Sequence, residues 1–425
     1  MSKAESTSAS GTRVRRRDTD AAGEGRELAV ARQPILDHAL RVAGYELLFR
    51  SSAADRADVL SSEAATSSVI VNSFMEVGLN DLVGDVRAYI NVSRAFLESV
   101  RPLPLPPGRV VLELLEDQVI DDGLIAVLDE LIGDGFSIAL DDFVWTEDCE
   151  PLLERADIVK IDILAYNEPE LAALVRRLRE RPKRLRLLAE KVETRAEFER
   201  CRALGFDTFQ GYFFARPARI EKRGVPTHHL AALSAMTQLA STEDFDHLER
   251  IITRDVGLSM RLLRYANSAY IYLPRRVGSV HDALMMLGTL TVRRWATMIA
   301  LAGMPDAPHE LLVTALVRAR MCQLLSGAER ETDGDEQFTV GLFSVADALE
   351  DAPMESIVEA LPLKVTVVEA LVNHAGKLGR LLDCVLAYER ADFDAVESFD
   401  IPLSSLDAAY RRAIPWADIA SGNLI

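Results

Sequence analysis

From Leu28 to about Pro217, short apolar runs alternate with longer amphipathic stretches. The runs are Ala43–Phe49, Arg87–Val92, Val110–Leu115, Phe136–Phe143, Ile158–Ile163, Leu185–Ala189 and Thr208–Phe214. They have the length and β-branched content of strands and are separated by segments of helical spacing such as Gly123–Ile132 and Arg195–Leu204. This predicts an α/β domain of parallel strands with helical crossovers, able to close as a barrel. Pro102, Pro104, Pro106 and Pro107 remove the donors a ladder needs, so that segment reads as a surface connection. Past Pro217 the period changes. From His229 to Leu301, and again from Leu311 to Ala387, apolar residues recur at three- and four-residue spacing, which predicts an all-helical half. Residues 1–27 lack a periodic apolar pattern and are expected to be a disordered tail. The segment Glu221–Thr227, with Gly224 and Pro226, reads as a linker, so the expected domains are 28–220 and 228–425.

Composition narrows the functional classes. The 425 residues carry a formal charge of -18, and acidic residues outnumber basic ones in both halves. A phosphate-backbone binder needs a basic stripe, so nucleic acid is not the expected partner. Cys149, Cys201, Cys322 and Cys384 lie far apart with no CxxC, which fits neither a zinc site nor a disulfide framework. A reducing cytoplasm is the expected compartment. No run of about 18 apolar residues is present, and Arg13, Arg15, Arg16 and Arg17 lead into Asp18 and Asp20, so neither export nor a membrane span is expected.

The candidate chemistry lies at the ends of the apolar runs. They carry Glu46, Asn91, Glu113, Asp141 and Asp142, Lys160 and Asp162, Glu190 and Gln210. Desolvating an isolated carboxylate is prohibitive, so acidic groups in such strands call for a positive partner. In a closed barrel these groups would gather on its C-terminal face. Carboxylates with an amide oxygen, and no His or Cys among them, are hard ligands for Mg²⁺ or Mn²⁺ rather than Zn²⁺. Two ions are expected, because two metals about 3.5–4 Å apart serve in-line attack on a phosphodiester. Lys160, one of seven lysines against 41 arginines, lies between Val159 and Ile161, where a compact ammonium suits a phosphate oxygen or a bridging water. Any one of these residues alone would read as a capped turn or a strand-end ion pair; their recurrence at successive strand ends favours a site.

The same residues carry a family resemblance. Gln33-Pro34-Ile35, Glu46-Leu47-Leu48-Phe49-Arg50, Asn91-Val92-Ser93, Glu113-Leu114-Leu115-Glu116, Asp141-Asp142-Phe143, Lys160-Ile161-Asp162, Glu190-Lys191-Val192-Glu193-Thr194 and Gln210-Gly211-Tyr212 resemble, in order and spacing, the motifs of EAL domains. Those are (β/α)₈ TIM-like barrel phosphodiesterases that linearise cyclic di-GMP. The resemblance implies metal ligation by Glu46, Asn91, Glu113, Asp141, Asp142 and Asp162. It implies that Lys160 and Glu190 manage the attacking water, that Gln210 helps hold the site, and that Gln33 and Arg50 contact the ligand. Glu116 and Glu193 would support the loops. There are departures. Leu47 stands for the Ala of Glu-Ala-Leu, Leu115 for Thr, and Lys191 for the Gly of Glu-Gly-Val-Glu. The family loop Asp-Asp-Phe-Gly-Thr-Gly-Tyr-Ser-Ser-Leu reads Asp141-Asp142-Phe143-Val144-Trp145-Thr146-Glu147-Asp148-Cys149 here. That loop serves the second metal and the dimer contact, so two outcomes stay open: hydrolysis of cyclic di-GMP to linear pGpG, or a catalytically inactive receptor or protein-interaction scaffold. A homodimer is implied by the resemblance alone.

In the helical half, Asp255-Val256-Gly257-Leu258-Ser259, the segment Arg261 to Ala269, His281-Asp282-Ala283-Leu284-Met285-Met286-Leu287-Gly288 and Val340-Gly341-Leu342-Phe343-Ser344 resemble an HDOD domain. This is a helical output module without the ligand set of HD phosphohydrolases, and it implies an unidentified protein partner. His281-Asp282 is read as a helix start with Ser279 as N-cap rather than a metal pair. Met285, Met286 and Trp295 are read as core.

Overall fold

The computed structural model describes residues 28–51, 78–99, 102–115, 119–211, 245–254, 259–260, 262–263, 266–267, 277–289, 291–292, 308–327, 334–350, 353–359 and 363–424. The expected tail 1–27, the linker, Glu116, Tyr212, Arg261, Arg264, Trp295 and the side chain of Arg50 lie outside them.

Eight strands close into a barrel in sequence order: β1 (Leu28–Leu36), β2 (Val42–Ser51), β3 (Arg87–Val92), β4 (Val110–Leu114), β5 (Ser137–Leu140), β6 (Ile158–Asp162), β7 (Arg186–Glu190) and β8 (Thr208–Gln210). From β2 to β8 each neighbour pair is parallel, as the alternating pattern predicts. β1 departs from that pattern, running antiparallel to both β2 and β8. The reason is the short connection. Asp37 accepts hydrogen bonds from the N–H groups of Ala39 and Arg41 in a tight turn, and parallel pairing would need a crossover of about a dozen residues. The crossover helices are α1 (Leu79–Val83), α2 (Arg94–Ser99), α3 (Asp122–Gly133), α4 (Glu150–Arg155), α5 (Glu168–Arg179) and α6 (Arg195–Leu204). Asn167 and Thr194 open α5 and α6 with capping boxes, and Gly205 closes α6 in the left-handed conformation.

The helical half contains α7 (Phe245–Arg254), α8 (Val280–Leu287), α9 (His309–Leu325), α10 (Asp335–Phe343), α11 (Ala346–Glu350), α12 (Met354–Glu359), α13 (Val365–Asn373), α14 (Gly376–Glu389), α15 (Phe393–Val396) and α16 (Leu403–Leu424). α9 is buried on all sides from Glu310 to Gln323 except at Thr314. It is the axial helix, with α10, α14 and α16 around it. A Cβ at Gly341 would lie 2.5 Å from the backbone of Arg318, so only glycine allows α10 to cross α9 this closely. Among the described residues no helix is long and apolar enough to cross a membrane.

The two halves join along β1. Only Ile35 and Leu36 pair with β8, so the N-terminal part of β1 has a free edge. Unpaired edge groups that are buried need partners, and the helices supply side chains. Asp407 accepts from the N–H of Val30 at 3.1 Å, Tyr410 accepts from the N–H of Arg32 at 3.1 Å, and Tyr388 donates to the carbonyl of Val30 at 3.0 Å. Beside them Tyr45 donates to Glu310 at 2.9 Å, and the Arg32 guanidinium lies 4.3 Å from the Tyr45 ring centre.

Glu310 gives this joint a pH signature. Burial raises its pKa from 4.5 to about 7, although Arg32 and the Tyr45 hydroxyl oppose the rise; Asp418 and Glu389 repel its charge. The folded chain therefore holds a proton that the unfolded chain releases between those pH values. Stability attributable to this group is full below about pH 4.5, falls as pH rises to about 7, and is flat above. Glu310→Gln should remove that slope, a difference of about 3 kcal/mol between pH 4.5 and 7. Urea midpoints of both proteins across that range measure it, and parallel curves would sink the assignment.

Candidate functional site

Side chains two residues apart along a strand share a face, and that rule assembles the site. Ile35, Tyr89, Val111, Ala139, Ile158 and Leu188 form a buried apolar plug inside the barrel. One step further along the five parallel strands, on the same face, come Asn91, Glu113, Asp141, Lys160 and Glu190, and on the reversed β1 comes Gln33. The plug closes the barrel below, and a polar layer sits directly above it.

Lys160 is at the centre of that layer, fully buried. Its Nζ lies 2.8 Å from Glu113, 2.7 Å from Asp141, 3.0 Å from Glu190 and 3.5 Å from Glu46. Asn91 Nδ2 donates to Glu46 Oε1 at 3.0 Å, and Gln210 Nε2 donates to both Glu46 Oε2 at 2.6 Å and Gln33 Oε1 at 2.7 Å. Four buried carboxyls thus surround one ammonium. Burial drives the Glu113 carboxyl well above its ordinary value and raises Asp141, with Glu46 adding repulsion to both. Glu190 is pushed up to about 8, again chiefly by burial. The same carboxylates hold the Lys160 ammonium protonated, its pKa well above the usual one despite its burial.

The cluster has unspent capacity for a cation. One oxygen each from Glu46, Glu113 and Asp141 lie within 4.8 Å of one another. Asn91 Oδ1 and Glu113 Oε2 are buried without a hydrogen-bond partner, as is Glu190 Oε2. Buried oxygen atoms left unpaired are costly, and an all-oxygen donor set with one ammonium among four carboxyls fits a hard divalent ion.

The comparisons with known proteins bear on this geometry. The EAL domain family matches residues 87–217 and the HDOD domain family residues 226–346. A cyclic di-GMP phosphodiesterase of Vibrio cholerae, CdgJ, is 36% identical over 378 residues, covering 88% of each chain. The chain is an EAL–HDOD protein. The uncharacterized protein YuxH of Bacillus subtilis is 31% identical over 399 residues, 91% of this chain and 97% of its own. Among solved structures, the PaMucR phosphodiesterase in complex with c-di-GMP is 25% identical, covering 45% of this chain and 97% of its own at a TM-score of 0.37. BlrP1 of Klebsiella pneumoniae, a manganese and c-di-GMP complex, is 23% identical over 44% and 55% of the two chains, also at 0.37.

Not every expected site residue of the EAL domain reaches the central layer. Glu46, Asn91, Glu113, Asp141, Lys160, Glu190, Gln210 and Gln33 are brought together. Asp142 is exposed, and Asp162, higher on β6, uses Oδ1 to accept from the N–H of Leu164 and Oδ2 to pair with Lys191 at 2.6 Å. Glu193 sits half-buried at the start of the turn before α6, where its N–H donates to Glu197. Sequence reasoning did not assign Lys191 a role; its position next to Glu190, in place of a glycine, was the available signal. Gly211 holds Gln210 in place: its φ is 144°, and a Cβ there would fall 2.1 Å from the Val192 carbonyl oxygen.

The altered loop after β5 is packed down without the family's glycines. Asp142 takes the left-handed turn itself, at φ 42°. Phe143 is buried and stacks edge-on with Trp145, whose ring carries the Arg177 guanidinium at 3.5 Å. Tyr166 donates to the Phe143 carbonyl, and the Phe143 N–H donates to the carbonyl of Lys160. In the HDOD half, Ser279 caps α8 as expected, accepting from the N–H of Asp282. His281 lies 3.0 Å from Glu249 and edge-on to Phe245. Met286 packs against the core, but Met285 is 67% exposed, against expectation, because it falls on the outer face of a two-turn helix.

Proposed function

We propose that the chain binds cyclic di-GMP at the mouth of the EAL barrel and hydrolyses one phosphodiester bond to give linear pGpG. The observation that carries this is the buried layer of Glu46, Asn91, Glu113 and Asp141 with unpaired oxygens around Lys160, in a chain 36% identical along most of its length to a cyclic di-GMP phosphodiesterase. Glu46, Asn91, Glu113 and Asp141 would hold a Mg²⁺ or Mn²⁺ ion, which when bound supplies charge neutralisation at the phosphate and a more acidic water. Gln210 and Asn91 orient Glu46 by donating to its two oxygens, and Gln33 in turn holds Gln210 by accepting from it. Lys160, at the centre of the layer, keeps the carboxylates from repelling one another apart. Glu190, whose Oε2 is buried without a hydrogen-bond partner beside the layer, is placed to take the proton from the attacking water. The new P–O bond forms as the P–O3′ bond breaks, and the departing 3′ oxygen takes up a proton. The helical half, whose last helices hydrogen-bond to β1 and whose residues 226–346 match the HDOD family, is the output module for a protein partner.

The test is to incubate the purified chain with cyclic di-GMP and Mn²⁺, follow linear product by chromatography and measure binding by calorimetry. Product formation supports the proposal. Tight binding without product would make the chain a receptor, and neither binding nor product would overturn the assignment.

A further inference from the structure

We infer that the ammonium of Lys191 stands in the place of a second cation at the mouth, so that this EAL domain takes one divalent ion where the family resemblance implies two. The inference rests on the proposal that the central layer holds a divalent ion at all, and goes beyond it in number and position.

Three observations carry it. First, Lys191 Nζ lies 2.6 Å from Asp162 Oδ2 and 3.9 Å from Asp142 Oδ1, so it bridges the two carboxylates that would complete a second metal position. The other Asp162 oxygen accepts from the N–H of Leu164 at 2.8 Å, so each oxygen of that carboxylate already has a partner. Second, the oxygens that converge within metal-holding reach come from Glu46, Glu113 and Asp141. Asp142 and Asp162 are not part of that convergence. Third, Lys191 has φ 56°, in the left-handed region that glycine occupies at much lower cost. A lysine held there has lost backbone freedom a glycine would keep, and its half-exposed side chain hydrogen-bonds Asp162 and lies within ion-pair reach of Asp142. Two carboxylates with one ammonium carry a single net negative charge rather than two, which weakens the attraction for another dication, and that ion would have to displace Lys191.

The test is the metal stoichiometry of the full-length protein. After dialysis against chelator, Mn²⁺ is titrated by calorimetry and bound Mn²⁺ is examined by electron paramagnetic resonance. The wild type should bind one ion per chain with a mononuclear spectrum. Lys191→Gly, which relieves the backbone strain and frees both aspartates, should bind two, with the spin-coupled spectrum of a close pair. Lys191→Met, which keeps the side-chain length without the charge, should also gain the second ion and guards against an effect of backbone change alone. Two ions in the wild type would overturn the inference while leaving the proposed function intact. One ion in both variants would also overturn it. No bound ion in any of the three would remove the proposed metal site itself, and the inference with it.

Discussion

Glu46→Gln should lower turnover of cyclic di-GMP by more than about 100-fold, a loss larger than that expected from disturbing a group one step removed from a metal. Glu46 is where the supporting network converges: Asn91 donates to one of its oxygens and Gln210 to the other, and Lys160 lies 3.5 Å away. The amide keeps the shape but removes a negative charge. It also presents an NH₂ group toward either the Asn91 or the Gln210 donor, and two donors cannot satisfy one another. Affinity for Mn²⁺ should fall together with the rate, and the unfolding midpoint without metal should fall modestly, because a buried donor left without an acceptor costs about 1–3 kcal/mol and the loss of one buried like charge offsets only part of it. Chromatography of the product, calorimetry with Mn²⁺ and a urea titration measure the three quantities. A variant with wild-type turnover would remove Glu46 from the reaction.

Lys160→Met should have the largest effect on stability. Its ammonium is the cation shared by Glu46, Glu113, Asp141 and Glu190, all buried. Methionine fills similar volume but leaves the carboxyls without a partner, and breaking a buried ion pair from one side costs about 3–5 kcal/mol. At neutral pH the folded variant must take up protons to survive, whereas the unfolded chain does not. Its stability should therefore fall as pH rises from 5 to 8, more steeply than in the wild type. Mn²⁺ should recover part of the loss, since binding to the folded state alone stabilises it. Urea midpoints at both pH values, with and without Mn²⁺, provide the measurement. Equal midpoints for variant and wild type at pH 8 would mean that the carboxyls are already neutral there and that Lys160 is not their counter-ion.

Much of the barrel was legible because its signal is local. Arg87–Val92 and Arg195–Leu204 form the strand and helix that the pattern predicts, residue for residue. The run Phe136–Phe143 overshoots, because its last residues belong to the turn that carries Asp141 and Asp142, while the run from Thr208 is strand as far as Gln210 and its residues past Gly211 lie outside the described ones. β1 was not among the strand-like runs. Arg32, Gln33 and Pro34 interrupt its apolar pattern, and what suits them to a strand is distant: Tyr410 and Leu82 for Arg32, Gln210 for Gln33. The direction of β1, and its role as the seam between the halves, were invisible for the same reason.

The sequence alone determined the order of the strand-end groups, with Asn91, Glu113, Asp141, Lys160 and Glu190 each at the end of its own apolar run. That placement is a property of each strand by itself. Only the tertiary structure decided which of the oxygens meet. Closure of the barrel puts Lys160 among four carboxyls and sets Asp142 and Asp162 apart with Lys191. Folding of the last helices onto β1 gives Val30 and Arg32 their partners nearly four hundred residues away. Such contacts depend on distances through space, which no local pattern along the chain encodes.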